Sequence, residues 1–272
     1  MATPASFHHP ASPQPGIPGA AAVSACAAMA VSYVAVLYAP TALLRLPPPT
    51  SLRVFLHRRF VCAAFSSSAS VLATASLLRV WSIGDSSDVL AVFGIRRDHL
   101  LQAVAIPLLL TSLVYAGSFI VRLWLLANSC GGGDDELEIG LAQRLVHWIR
   151  ASVGDVMVWR NCVVAPITEE LVFRACMVPL LLCGGFKIYN IIFLSPVFFS
   201  LGNIVCPIVA HIFCNIMGLP VFSSPRTKGV ASVAFLAGSL SFFWLLFPAT
   251  SPKLYNARLD QCSCWHGYCR WS

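Results

Sequence analysis

The chain has 272 residues, a net charge of +7, 57% hydrophobic and 11% charged residues, and a mean hydropathy of +0.76. A soluble domain carries roughly a quarter charged residues, so this composition excludes an ordinary soluble globule. The basic residues are scattered, with no stripe interleaved with aromatics, which argues against nucleic acid as a partner.

Long apolar runs without strand-like alternation predict an all-α fold, a polytopic transmembrane bundle of about six to seven helices. Lipid leaves backbone groups nothing to bond to outside a helix or a closed barrel. Residues 1–16, MATPASFHHPASPQPG, hold no charged side chain and read as a flexible leader, without the basic start of a signal peptide. Apolar runs at about 17–44, 60–80 and 100–127 each reach the roughly 20 residues that cross about 30 Å of hydrocarbon. The second is weakened by Ser66 to Ser68. Between the first two lie Arg45, Arg53, Arg58 and Arg59 with no acid. The positive-inside rule therefore puts that loop in the cytosol and the leader in the lumen.

The polar stretch NSCGGGDDELEIG follows, then LAQRLVHWIRASVGDVMVW, residues 141–159, which reads as an amphipathic helix suited to the membrane interface. Beyond it come the apolar segment VVAPITEELVFRACMVPLLLC, a long run at about 186–222 and a last span at about 230–248. There is no internal repeat. Residues 17–250 form one membrane domain, and 251–272 a Cys-rich tail. In that tail Cys262, Cys264, Cys269 and His266 lie close together, but not at the paired CxxC spacing of zinc sites. Palmitoylation or no specific role is the expectation there, and no metal or cofactor is expected in the protein.

Glu169 and Glu170 are two of four glutamates in the chain, and they sit inside an apolar segment with Arg174. Ionisable groups at membrane depth cost several kcal/mol and usually serve a function. On a helix Glu170 and Arg174 are one turn apart on one face. Glu169 points about 100° away, toward a neighbouring helix or a cavity. The glutamate beside the arginine is expected to stay ionised, and the other is a candidate general base for water. The competing reading is an ion pair that only locks helices together, which leaves one carboxylate unexplained. Downstream, His211 and Asn215 share a second helical face among apolar residues. They can hold a water or an oxyanion, or simply join two helices. HExxH, GxSG and a pair of intramembrane aspartates are all missing, so zinc, serine and aspartyl protease mechanisms lack their parts.

EELVFR, Glu169 to Arg174, and HIFCN, His211 to Asn215, match the EExxxR and HxxxN motifs of the CAAX prenyl endopeptidases, the CPBP or Abi group of intramembrane glutamate proteases. The chain resembles the type II branch in its plant form, from about residue 20 to the end. The resemblance implies a multi-pass protein of the endoplasmic-reticulum membrane. Such a protein removes the last three residues of farnesylated or geranylgeranylated CaaX proteins, without a metal. It also implies that Glu169 activates water, that Glu170 and Arg174 complete the motif, and that His211, with Asn215 as partner, holds the water or oxyanion.

The family's intervening FxxxH motif begins at Phe199, but Asn203 stands where its histidine belongs. Phe186 to Phe222 is 37 residues, about 55 Å as one helix, too long for one span and short for two. An internal deletion near Leu201–Gly202 is inferred. Two alternatives remain at this point: a catalytically impaired form lacking one histidine, and a proton or ion path through Glu169, Glu170, Arg174 and His211.

Overall fold

The computed structural model describes residues 17–42, 45–80, 86–97, 99–129, 150–186, 191, 203–227 and 229–249. The leader, the Cys-rich tail and the expected junction at Leu201–Gly202 lie outside them.

Every regular element among the described residues is helical. α1 is Gly19–Ala42 and α2 is Leu52–Leu77, both long and apolar enough to cross a membrane. α2 starts earlier than the hydropathy suggests, because Ser51 caps it by accepting the Val54 N–H. Its arginines therefore stand on the first two turns of the span. The serines that weakened the run are not a break. The helix runs through them unbroken, and the Ser67 and Ser70 hydroxyls donate back to Ala63 O and Ser66 O. Small side chains there also let neighbouring helices approach closely.

α3 is Ser86–Val92, α4 is Leu100–Val114 and α5 is Ala116–Ser129. α4 and α5 correct the expectation of one straight third span, for they are bent by 77° at Tyr115. The bend has identifiable clamps. Tyr115 Oη donates to Gly218 O at 2.6 Å, and a Cβ on Gly117 would meet Ala231 O at 2.6 Å and Val221 O at 2.7 Å.

α6 is one helical rod from Val156 to Cys183. Its α-helical turns are Val156–Trp159, Ala165–Glu170 and Met177–Cys183; the turns between them, Arg160–Val164 and Leu171–Cys176, are π-helical. The predicted amphipathic helix does not run into it. Residues 150–154 are helical, that helix ends at Gly154, and Asp155 opens a new one by accepting the Met157 N–H. Residues 141–149 lie outside the described residues. α7 is Val205–Met217 and α8 is Val230–Ala249.

α1 packs on α2 and on the C-terminal turns of α6, around Cys26, Met29, Tyr33, Ala63, Cys176 and Leu180. α7 packs on α4, and α8 on both arms of the bent pair. The two groups meet where α7 lies against the middle of α6. Large apolar side chains such as Phe65, Leu109, Leu240 and Trp244 face outward. In water such an exterior would aggregate; in lipid it is the expected surface of a membrane protein.

Candidate active site

The glutamate doublet sits on the α-helical stretch between the two π-helical turns of α6. Such turns widen a helix locally and recur at functional sites. Here the first has an identifiable cause. Ala165 N–H bonds Arg160 O, so the next donor in that pattern would be residue 166 bonding Asn161 O. Residue 166 is proline and has no N–H. Asn215 Nδ2 supplies the missing donor, bonding Asn161 O at 2.8 Å.

Glu170 is buried, with 1% of its surface exposed. Its Oε2 pairs with Arg174 Nη1, one turn along α6, as the spacing predicted. Its Oε1 accepts from His211 Nδ1 on α7 at 2.8 Å. An ionised carboxylate only accepts, so Nδ1 carries the hydrogen. In neutral imidazole the other nitrogen, Nε2, is then left as an acceptor. The two motifs, 41 residues apart, thus meet in one chain: guanidinium, carboxylate, imidazole.

Glu169, the next residue on the helix and so about 100° round from Glu170, is half-buried. Its turn is held by residues that the motifs do not contain. Thr168 Oγ1 lies 2.9 Å from Tyr33 Oη on α1 and donates to Val164 O at 2.7 Å. Ser67 of α2 reaches Thr168 O at 3.5 Å. Tyr33 also packs edge-on against Phe173, with ring centroids 5.6 Å apart, and its hydroxyl lies within electrostatic range of Glu169 and Arg59. A phenol at mid-depth in an apolar span was the sequence signal for Tyr33; Thr168 carried none.

Two expectations change. Asn215 bonds the backbone of α6 and does not pair with His211, because the proline-vacated carbonyl is its stronger claim. Asn203, in the place of the expected histidine, is fully buried. It opens α7 by accepting the Val205 N–H at 3.0 Å and donates to Arg96 O at 3.3 Å. Among the described residues no group of three or more His, Cys, Asp or Glu is arranged to hold a metal ion.

The profile described as "Type II CAAX prenyl endopeptidase Rce1-like" matches residues 153–202, which include Glu169, Glu170 and Arg174. The match ends directly before Asn203. CAAX prenyl protease 2 of Arabidopsis thaliana is 43% identical over 301 residues, covering 92% of this chain and 96% of the relative. Those 301 positions take in about 250 of the 272 residues, so about fifty have no residue of this chain opposite them. CAAX prenyl protease 2 of Rattus norvegicus is 32% identical over 275 residues (90% of this chain, 85% of the relative). That of Homo sapiens is 30% identical over 294 residues (89% and 85%). These relatives are proteases by name, which does not favour the ion-path reading. No solved structure matches. On the extent of these matches, the chain belongs to the type II CAAX prenyl endopeptidase, Rce1-like, family.

Proposed function

We propose that this chain is an intramembrane endopeptidase that hydrolyses the peptide bond after a prenylated cysteine and releases the C-terminal tripeptide. The observation that carries the reading is the chain Arg174–Glu170–His211 beside a second carboxylate, Glu169, which is not part of it. Glu170 has both oxygens engaged and cannot also take a proton from water without breaking the clamp. It orients His211 instead. Glu169 takes the proton as water adds to the scissile carbonyl, and Nε2 of His211 accepts from that same water. The proton then passes to the departing amine as the C–N bond breaks. Asn215 keeps α7 seated on the π-helical turn, and so keeps His211 in register with the doublet.

Burial of this chemistry among apolar helices suits a substrate whose prenyl group already lies in lipid. Membranes of the endoplasmic reticulum are the proposed location, and farnesylated or geranylgeranylated CaaX proteins the substrates. We also infer that the shortfall against the Arabidopsis relative falls just before Asn203, where the family match ends. His211 then carries the histidine chemistry of the site.

The test is an assay of membranes containing the chain against a farnesylated CaaX peptide. Tripeptide release that disappears in Glu169→Ala supports the reading. Release that survives Glu169→Ala, or none from the unaltered chain, overturns it.

A further inference from the structure

The arginines on the first turns of α2 are not equivalent. Arg53 donates to Gly154 O at 3.4 Å, and Arg58 to Pro47 O at 2.8 Å. Arg59, half-buried, has its guanidinium over two rings, 5.1 Å from the centroid of Tyr38 and 5.3 Å from that of Phe55. No carboxylate among the described residues pairs with it. A guanidinium flanked by aromatic faces keeps its fork of N–H donors for a planar anion. The ring faces add a cation–π attraction that holds the guanidinium in place.

Position supplies the second half of the argument. Tyr33 Oη lies 2.9 Å from Thr168 Oγ1, next to the doublet in sequence, and Arg59 stacks on Tyr38, of the same helix as Tyr33. Tyr38, which faces Arg59, is five residues beyond Tyr33 on α1, about 7.5 Å further along the helix axis. A substrate cut three residues before its end carries a free carboxylate within about 10 Å of the scissile bond when extended. The separation along α1 is therefore within the reach of the leaving segment.

We propose that Arg59, held between Tyr38 and Phe55, is the subsite for the C-terminal carboxylate of the CaaX substrate. This rests on the endopeptidase reading above. It adds a reason why cleavage falls at a set distance from a free C-terminus. The cation measures the length of the leaving segment, and a chain that continues past it places no carboxylate there.

The experiment uses binding, so that it does not depend on turnover. The full chain in lipid nanodiscs is titrated with a farnesylated CaaX peptide, once as the free acid and once as the C-terminal amide. The unaltered chain is expected to bind the acid about tenfold or more tightly than the amide, the scale of one charge-assisted contact. In Arg59→Gln the acid should weaken to the level of the amide, with the amide unchanged; Arg59→Lys should keep part of the preference. Equal binding of acid and amide by the unaltered chain overturns the proposal. So does an equal weakening of both peptides in Arg59→Gln, which would assign Arg59 to a lipid phosphate or to packing. If neither peptide binds the unaltered chain, the endopeptidase reading itself fails, and the subsite with it.

Discussion

His211 Nδ1 donates to Glu170 Oε1 at 2.8 Å, while Arg174 holds the other oxygen of the same carboxylate. Because Glu170 is 1% exposed, water cannot replace either partner. The pair of motifs is therefore one electrostatic unit, and Glu169, one residue away, is outside it. That separation has measurable consequences.

Glu169 and Glu170 should fail in different ways. Glu170→Ala leaves a guanidinium without its carboxylate and should cost about 3–5 kcal/mol of stability, seen as a lower melting temperature and poor recovery from detergent. Glu169→Gln should leave stability within about 0.5 kcal/mol and lower peptidase activity by about 10²–10⁴-fold. Equal thermal losses in the two variants would contradict the division of roles.

The bond from Asn215 to Asn161 O should couple to Pro166. Asn215→Ala strands a carbonyl and should cost about 1–3 kcal/mol. Pro166→Ala restores a backbone N–H that can reach that carbonyl. In a double-mutant cycle by thermal unfolding, Asn215→Ala should cost clearly less in the Pro166→Ala background. Additive losses would mean that proline does not create the need for Asn215.

Close helix contact makes one glycine indispensable and another dispensable. A Cβ on Gly238 would collide with Leu113 O, whereas one on Gly154 would meet nothing within 4 Å. Gly238→Ala must push α8 off α4 and should cost several kcal/mol or abolish the folded protein, as overpacking against backbone has no cheap relief. Gly154→Ala should elute and melt like the unaltered chain.

Asn203→His should not raise activity. The position is fully buried and is used to start α7. A larger ring there should cost about 1–3 kcal/mol and loosen the first turn of the helix that carries His211. Restoring the residues that we infer to be missing before Asn203 is the change expected to raise the rate. Peptidase assays of the two side by side decide it.

Much of this protein could be read from its order of residues. Low charge and long apolar runs set an all-helical membrane protein, because lipid admits no other way to satisfy the backbone of such runs. Glu170 and Arg174 were visibly a pair, since four residues make one helical turn. His211 and Asn215 were visible as polar groups where polarity is costly, and the motifs carried the family resemblance. Folding in three dimensions decided the rest. A run of hydropathy has no direction, so the bend at Tyr115 appears only when Gly117 and Gly238 admit neighbouring helices. Spacing within α6 cannot say which glutamate α7 will reach; the packing of α7 on the first π-helical turn and the stretch after it chose Glu170 and left Glu169 out of the bonded chain. The partner of Asn215 was likewise undecidable from spacing, because the carbonyl it serves is exposed by a proline 49 positions earlier in the chain. Local periodicity is written in consecutive residues, whereas a site between helices depends on contacts that consecutive residues do not record.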